Sequence, residues 1–179
     1  MNTKKNQLVS ALDIAEYLLF LDPQRKYFTL WRMPAKKDWG NPPVEGNFRL
    51  NKMLHILQIL HYVKYRKFLF SENLVAYKHG AIVQSVSKSF SNELYHRYQL
   101  LKTESLNPQK KEFIKIIFEY FQEYSNEELW QFSHDDPSWQ LAWEKGYNVS
   151  MSKEPRIRAY WRNFYGHIVE EIEENGVAK

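Results

Sequence analysis

Residues 49–90 read RLNKMLHILQILHYVKYRKFLFSENLVAYKHGAIVQSVSKSF, and the first half of that stretch decides the fold. Leu50, Met53, Leu54, Leu57 and Leu60 recur at three- and four-residue steps, and Ile56, Ile59 and Val63 widen the stripe over most of the circumference. A helix so apolar, in a chain of mean hydropathy −0.62, belongs in the middle of a bundle with other helices around it. Lys64, Arg66 and Lys67 follow, where the C-terminal dipole favours cations. Residues 69–78 then read as a short extended piece, Leu74 and Ala76 alternating with Val75 and Tyr77. His79-Gly80 makes a turn, the glycine permitting positive φ, and a second helix is expected to start near Ile82.

Working outward, Leu8, Ala11, Leu12, Ala15, Leu18 and Leu19 line one face of a helix over 8–21. Asp22-Pro23 ends it, because a residue before proline avoids the helical region. In 24–47 the texture changes: Pro34, Pro42 and Pro43 with Gly40 and Gly46 exclude a regular helix, while Tyr27-Phe28-Thr29-Leu30-Trp31 reads as a short strand. Beyond the central stretch, Val83, Val86 and Phe90 continue one face, and 94–101 extends it past a break at Ser91-Asn92. Asn107-Pro108 starts a helix carrying Phe113, Ile116, Ile117, Tyr120, Phe121 and Tyr124. Ser125 and Glu128 form a capping box, and Asp136-Pro137 opens a short helix that Gly146 stops. Ser152 is expected to cap the last helix, with Ile157, Tyr160, Trp161, Phe164, Ile168 and Ile172 along one side. The fold class is mainly α: a helical bundle around the central apolar helix, with a small extended or β-hairpin element.

With 179 residues the chain suits one domain with a sizeable core. No internal repeat or low-complexity tract breaks it. It has no cysteine, so disulfides, thiolate nucleophiles and thiolate zinc sites are excluded. The polar N-terminus and the apolar run broken by Asp13 and Glu16 read as neither a signal peptide nor a membrane span. A cytoplasmic location is the expectation. The net charge of +4 hides an asymmetry. Residues 1–100 hold 15 Lys and Arg against 7 Asp and Glu, and residues 101–179 hold 10 against 14. The basic half could attract nucleic acid or an acidic surface, but no basic run exceeds two residues, and complementarity within one fold is favoured.

The sharpest polar cluster is His134-Asp135-Asp136. A histidine beside two carboxylates could act as a base or bind a metal, the centre of a hydrolase-like enzyme. The favoured reading is structural: Asp136 caps a helix and His134 fixes the turn, so no catalytic residue, metal or cofactor is assigned. His55 and His61, six apart on the central helix, point to different sides and read as boundary residues. In 24–47, Arg25, Lys26, Arg32, Lys36 and Lys37 interleave with Tyr27, Phe28, Trp31 and Trp39, a mixture that single-stranded nucleic acid uses. No recognition-helix pattern accompanies it, so nucleic acid is the less favoured partner. The favoured alternative is a surface flap pinned by Trp31 and Trp39.

Asn51-Lys52-Met53-Leu54, Leu69-Phe70 and Ala76-Tyr77-Lys78-His79-Gly80, followed by Ser133-His134-Asp135-Asp136-Pro137-Ser138-Trp139, resemble in order and spacing the Panacea domain. That family is also called SocA-like or phage-associated GepA-like. Tyr77 stands where the family has tryptophan, and Ala81-Ile82 where it has proline-valine. The resemblance implies an antitoxin or adaptor-like module, phage- or mobile-element-associated, that binds and neutralises a partner toxin, with a protease as second partner in the adaptor role. Lys52, Tyr77, Lys78, Gly80, His134, Pro137 and Trp139 match motif positions. Against the family pattern, 24–47 reads as an insertion, and the last helix, 153–175, lies outside the shared motifs. Arg25, Trp31, Arg32, Trp39, Arg156, Tyr160 and Arg162 are therefore the candidate partner-binding residues.

Overall fold

The structure, a computed structural model, describes residues 9–35, 41–90 and 106–177. Among these residues the order is α1 (Ala11–Leu21), α2 (Glu45–Tyr65), β1 (Val75–Tyr77), β2 (Gly80–Ile82), α3 (Gln84–Ser89), α4 (Pro108–Phe121), α5 (Asn126–Asp135), α6 (Pro137–Lys145) and α7 (Pro155–Val177). The fold is mainly α, as the central stretch implies.

Every residue of α2 from 50 to 63 is buried. α7 packs along it, and the β-hairpin, α5, α1 and α4 close round the rest. Each fully buried Leu, Ile or Met on this helix contributes about 1.5–3 kcal/mol. Buried polar side chains on it and on α5 hold the neighbouring backbone. Gln58 accepts at Oε1 from Leu69 N and Phe70 N (2.8 and 3.2 Å) and donates to Phe70 O (3.1 Å), which pins the chain leaving the helix. Asn51 Oδ1 accepts from Val83 N at 2.8 Å, and Ser133 Oγ from Ala81 N at 2.9 Å. These bonds hold β2 extended, so the helix expected from Ile82 begins only at Gln84.

The hairpin pairs Val75 with Ile82, Ala76 with Ala81 and Tyr77 with Gly80. Residues 149–151, leaving a turn in which Asn148 has φ 64°, run antiparallel beside β1: Asn148 N donates to Ala76 O, Ala76 N to Val149 O and Met151 N to Leu74 O, each at 2.9 Å.

The strand expected at Tyr27–Trp31 does not form. Its backbone groups are claimed elsewhere: Asp22 Oδ2 accepts from Tyr27 N and Phe28 N, both at 2.9 Å, while Thr29 O and Trp31 O accept from Gly46 N and Glu45 N at the start of α2. Helix starts follow their caps. α1 begins at Ala11, not at 8, because Ser10 and Asp13 form a capping box. Asn107, Ser125 and Asp136 cap α4, α5 and α6 as their spacing requires. Ser152 lies too early to cap α7; its Oγ accepts from Glu154 N, and the helix starts at Pro155. The extension expected over 94–101 lies outside the described residues.

Candidate functional site

His134, Asp135 and Asp136 bridge the end of α5 and the start of α6, but they do not share a centre. Asp136 is fully buried and faces inward. Its Oδ1 accepts from Ser138 N and Trp161 Nε1, both at 2.9 Å, and its Oδ2 from Ser138 Oγ at 2.7 Å and His55 Nε2 at 2.8 Å. Two donors on each oxygen fill the carboxylate and fasten α2, α6 and α7 to one atom group. Burial alone would raise its pKa; the donors, His55 first among them, hold it below the usual carboxylate value. His55 is thus a wholly buried partner of Asp136, not the boundary residue its neighbours in sequence suggest, and His61 is buried too, with Nδ1 donating to Lys67 O at 2.6 Å.

His134 turns the other way. Nδ1 donates to Trp130 O at 2.7 Å, and the ring lies between Trp130 and Trp139, with centroids 3.7 and 4.0 Å away. Burial pushes its pKa down to about 4, so the ring is neutral near neutral pH. With the proton on Nδ1, Nε2 only faces Lys78 O at 3.4 Å. Trp139 Nε1 donates to Tyr77 O at 3.1 Å and ties α6 to the hairpin. Asp135 accepts from Gln131 Nε2 at the surface. No group of three or more potential metal ligands occurs among the described residues.

Lys52 is the unusual member of this layer. It is 1% exposed, its Nζ reaches Ala81 O at 3.4 Å, and it lies 4.7 Å from the Phe48 ring centroid. Burial pulls its pKa down to about 7. Gly80 is shaped by it: φ is +104°, and a Cβ there would stand 2.6 Å from Lys52 Nζ and 2.5 Å from Ser133 Oγ. Of the motif residues, Lys52 thus lies against Gly80, His134 packs on Trp139, and Trp139 is tied to Tyr77 on the hairpin, while Pro137 opens α6. Sequence reasoning missed His55, Ser133 and Trp161 as members of this interior junction. The readable signal was the polar series Asn51, His55, Gln58 at helical steps inside an otherwise apolar helix.

The candidate partner-binding residues divide. Arg25 is a correction: it is buried, has φ 53°, and its guanidinium donates to the carbonyls of Leu19 and Asp22 at the end of α1. Orphan carbonyls at a helix C-terminus attract a cation inward. Trp31 is 78% exposed, so it does not pin the segment; Tyr27, Phe28 and Met33 do. Arg32 beside it donates to Pro42 O at the surface, and Trp39 lies outside the described residues. On α7, Arg156 and Arg162 are exposed, and Tyr160 is half-buried with its hydroxyl 3.5 Å from Asp135 O.

A model of the antitoxin SocA-like, Panacea domain family matches residues 50–140, half of the chain, from the core of α2 to α6. Neither a curated protein nor a solved structure matches the chain. No helix among the described residues is long and apolar enough to cross a membrane.

Proposed function

The chain belongs to the antitoxin SocA-like, Panacea domain family, and from that premise we propose that it neutralises a cognate protein toxin by binding it directly. Membership over residues 50–140 is the observation that carries this reading. The proposal places the protein in the bacterial cytoplasm, in a phage or mobile-element setting, and a protease is the second partner if it acts as an adaptor. It assigns the chain no reaction of its own. His134, Asp135 and Asp136 are engaged in internal bonds that account for their presence. Contact with the toxin is assigned to residues that the junction leaves outside: Trp31 and Arg32 in the segment before α2, and Arg156 and Arg162 on α7. Trp and Arg are the types enriched in interface hot spots.

Co-expression with the product of the adjoining gene tests the reading. Growth rescued by this protein, together with co-purification of the two products, is the expected result. A toxic neighbour that this chain neither binds nor silences would sink it.

A further inference from the structure

The ends of α2, α4 and α7 leave an open cleft of about 530 Å³. Phe113, Ile116 and Ile117 of α4 form one wall, and Val169 and Ile172 of α7 the other. Gln109, Lys64, Glu112 and Glu173 are the polar side chains among its lining, the last three charged. Lys64 Nζ is 2.8 Å from Glu173, so those two charges offset each other. Glu112 stands at the edge from α4. Along α7, Glu170, Glu171, Glu173 and Glu174 are all exposed, and no Lys or Arg occurs from 163 to 177. The C-terminal end of the α7 dipole adds to the negative potential. In a chain of net charge +4, Glu112 and the exposed glutamates of α7 thus bias this side of the cleft toward negative charge.

We infer that this cleft receives an amphipathic helix from a partner protein, apolar at i, i+3, i+4 and i+7 and basic along its flanks. Apolar walls between two helices suit the anchors of such a helix, and the carboxylate edge suits its Lys or Arg. A small ligand would need several convergent polar groups to orient it, and apart from Gln109 the uncharged lining is aliphatic and aromatic. The family match ends at residue 140, so one wall lies in the shared region and the other belongs to this chain's own last helix. The inference rests on the antitoxin reading in one respect: under it, the docked helix is the toxin's.

The test uses the full chain and two fluorescein-labelled helical peptides. Both carry Leu at i, i+3, i+4 and i+7; one has Lys on its flanks and the other Glu. Anisotropy should show the Lys peptide binding at least about tenfold tighter than the Glu peptide, and more weakly as salt is raised. Val169→Asp should abolish binding. Glu112→Lys, an exposed change that leaves the fold alone, should narrow the preference several-fold. Equal affinity for the two peptides, or Glu112→Lys and a folded Val169→Asp that both behave as the parent, overturns the inference. So does a parent dimer in sedimentation that Val169→Asp converts to monomer, since a second copy would then fill the cleft. Co-expression separates this inference from the reading beneath it. If the peptide preference holds while the parent fails to silence the neighbouring toxin, the antitoxin reading falls and the cleft stands. If a folded Val169→Asp still silences the toxin, the cleft is not the toxin's seat.

Discussion

Two regions of this molecule combine tryptophan with polar groups, and they use them in opposite ways. At Asp136 the indole of Trp161 donates inward, and every acceptor site of the carboxylate is filled from α2, α6 or α7. At Trp31 the indole stands 78% exposed while its own carbonyl anchors the start of α2. The first arrangement spends its polar groups on holding elements together. The second holds the backbone and leaves the side chain available. Stability and recognition should therefore separate under mutation, and the separation can be tested from the inside outward.

The largest effect is expected at Asp136→Ala. A lost helix cap alone costs about 1 kcal/mol, but this change also leaves His55 Nε2, Trp161 Nε1 and Ser138 Oγ buried without their acceptor. Removing one partner from such a set costs about 3–5 kcal/mol. Urea unfolding of variant and parent reads this directly. A loss near 1 kcal/mol would show that the junction relaxes, or admits water, once the carboxylate is gone.

Lys52 is the member of the junction with the weakest partner, and pH exposes it. In the unfolded chain its ammonium titrates near 10.5, and in the folded protein near 7. Between those values the unfolded chain holds a proton that the folded chain has released, so stability rises with pH, by up to about 1.4 kcal/mol per unit. Below pH 7 both states are protonated and the cost of the buried charge is fully present. Tyr27, whose pKa burial pushes up to about 12, opposes the trend above pH 10. Lys52→Met should raise the melting temperature at pH 7 and flatten the rise between pH 7 and 10. An unchanged slope would mean that the amine finds solvent or an anion.

Much of this was legible in the sequence. The central helix declares itself through eight apolar residues at helical steps, and Ser125, Asn107 and Asp136 announce their helix starts through local chemistry. The misses share a cause. Tyr27–Trp31 has strand-forming residues, but Asp22 and the N-terminus of α2 take its hydrogen bonds, and no propensity reports a competitor supplied by the chain's own turn. Arg25 looks like a surface cation until the carbonyls ending α1 are placed around it. Asp136 is readable as a cap because Ser138 is two residues away; its bonds to His55 and Trp161 span 81 and 25 residues, beyond any local pattern.

A smaller effect is expected on acidification. Burial holds His134 near pKa 4, against 6.5 in the unfolded chain. Between those values the unfolded chain binds the proton first, so stability falls as pH drops from 6.5 toward 4. His61 and His79 are also held low by burial and act in the same sense. His134→Gln should therefore blunt the fall in melting temperature between pH 6.5 and 4.5 without abolishing it. A variant that melts in parallel with its parent throughout would show that the stacked ring protonates in place.

The smallest effect on stability, and the sharpest test of the contrast, is expected at Trp31. Replacing all of 24–47 would be a poor experiment, because it removes Tyr27, Phe28 and Met33 from the core and Glu45 to Asn47 from α2. Trp31→Ala leaves all of these in place, and the carbonyl that accepts from Glu45 N belongs to the backbone and survives. A surface substitution of this kind moves stability by no more than about 0.5 kcal/mol. If the ring is a recognition anchor, affinity for the toxin should fall by at least about tenfold, roughly 1.4 kcal/mol. Arg32→Ala, which removes a guanidinium beside it, should weaken binding less. Calorimetry with the co-purified partner measures both, and thermal melts confirm that the fold is intact. Trp31→Ala with unchanged melting and unchanged affinity would make the exposed indole incidental and move the search to Arg156 and Arg162 on α7. Trp31→Ala that melts early would place the indole's contacts inside the fold after all, and erase the contrast between the two tryptophans.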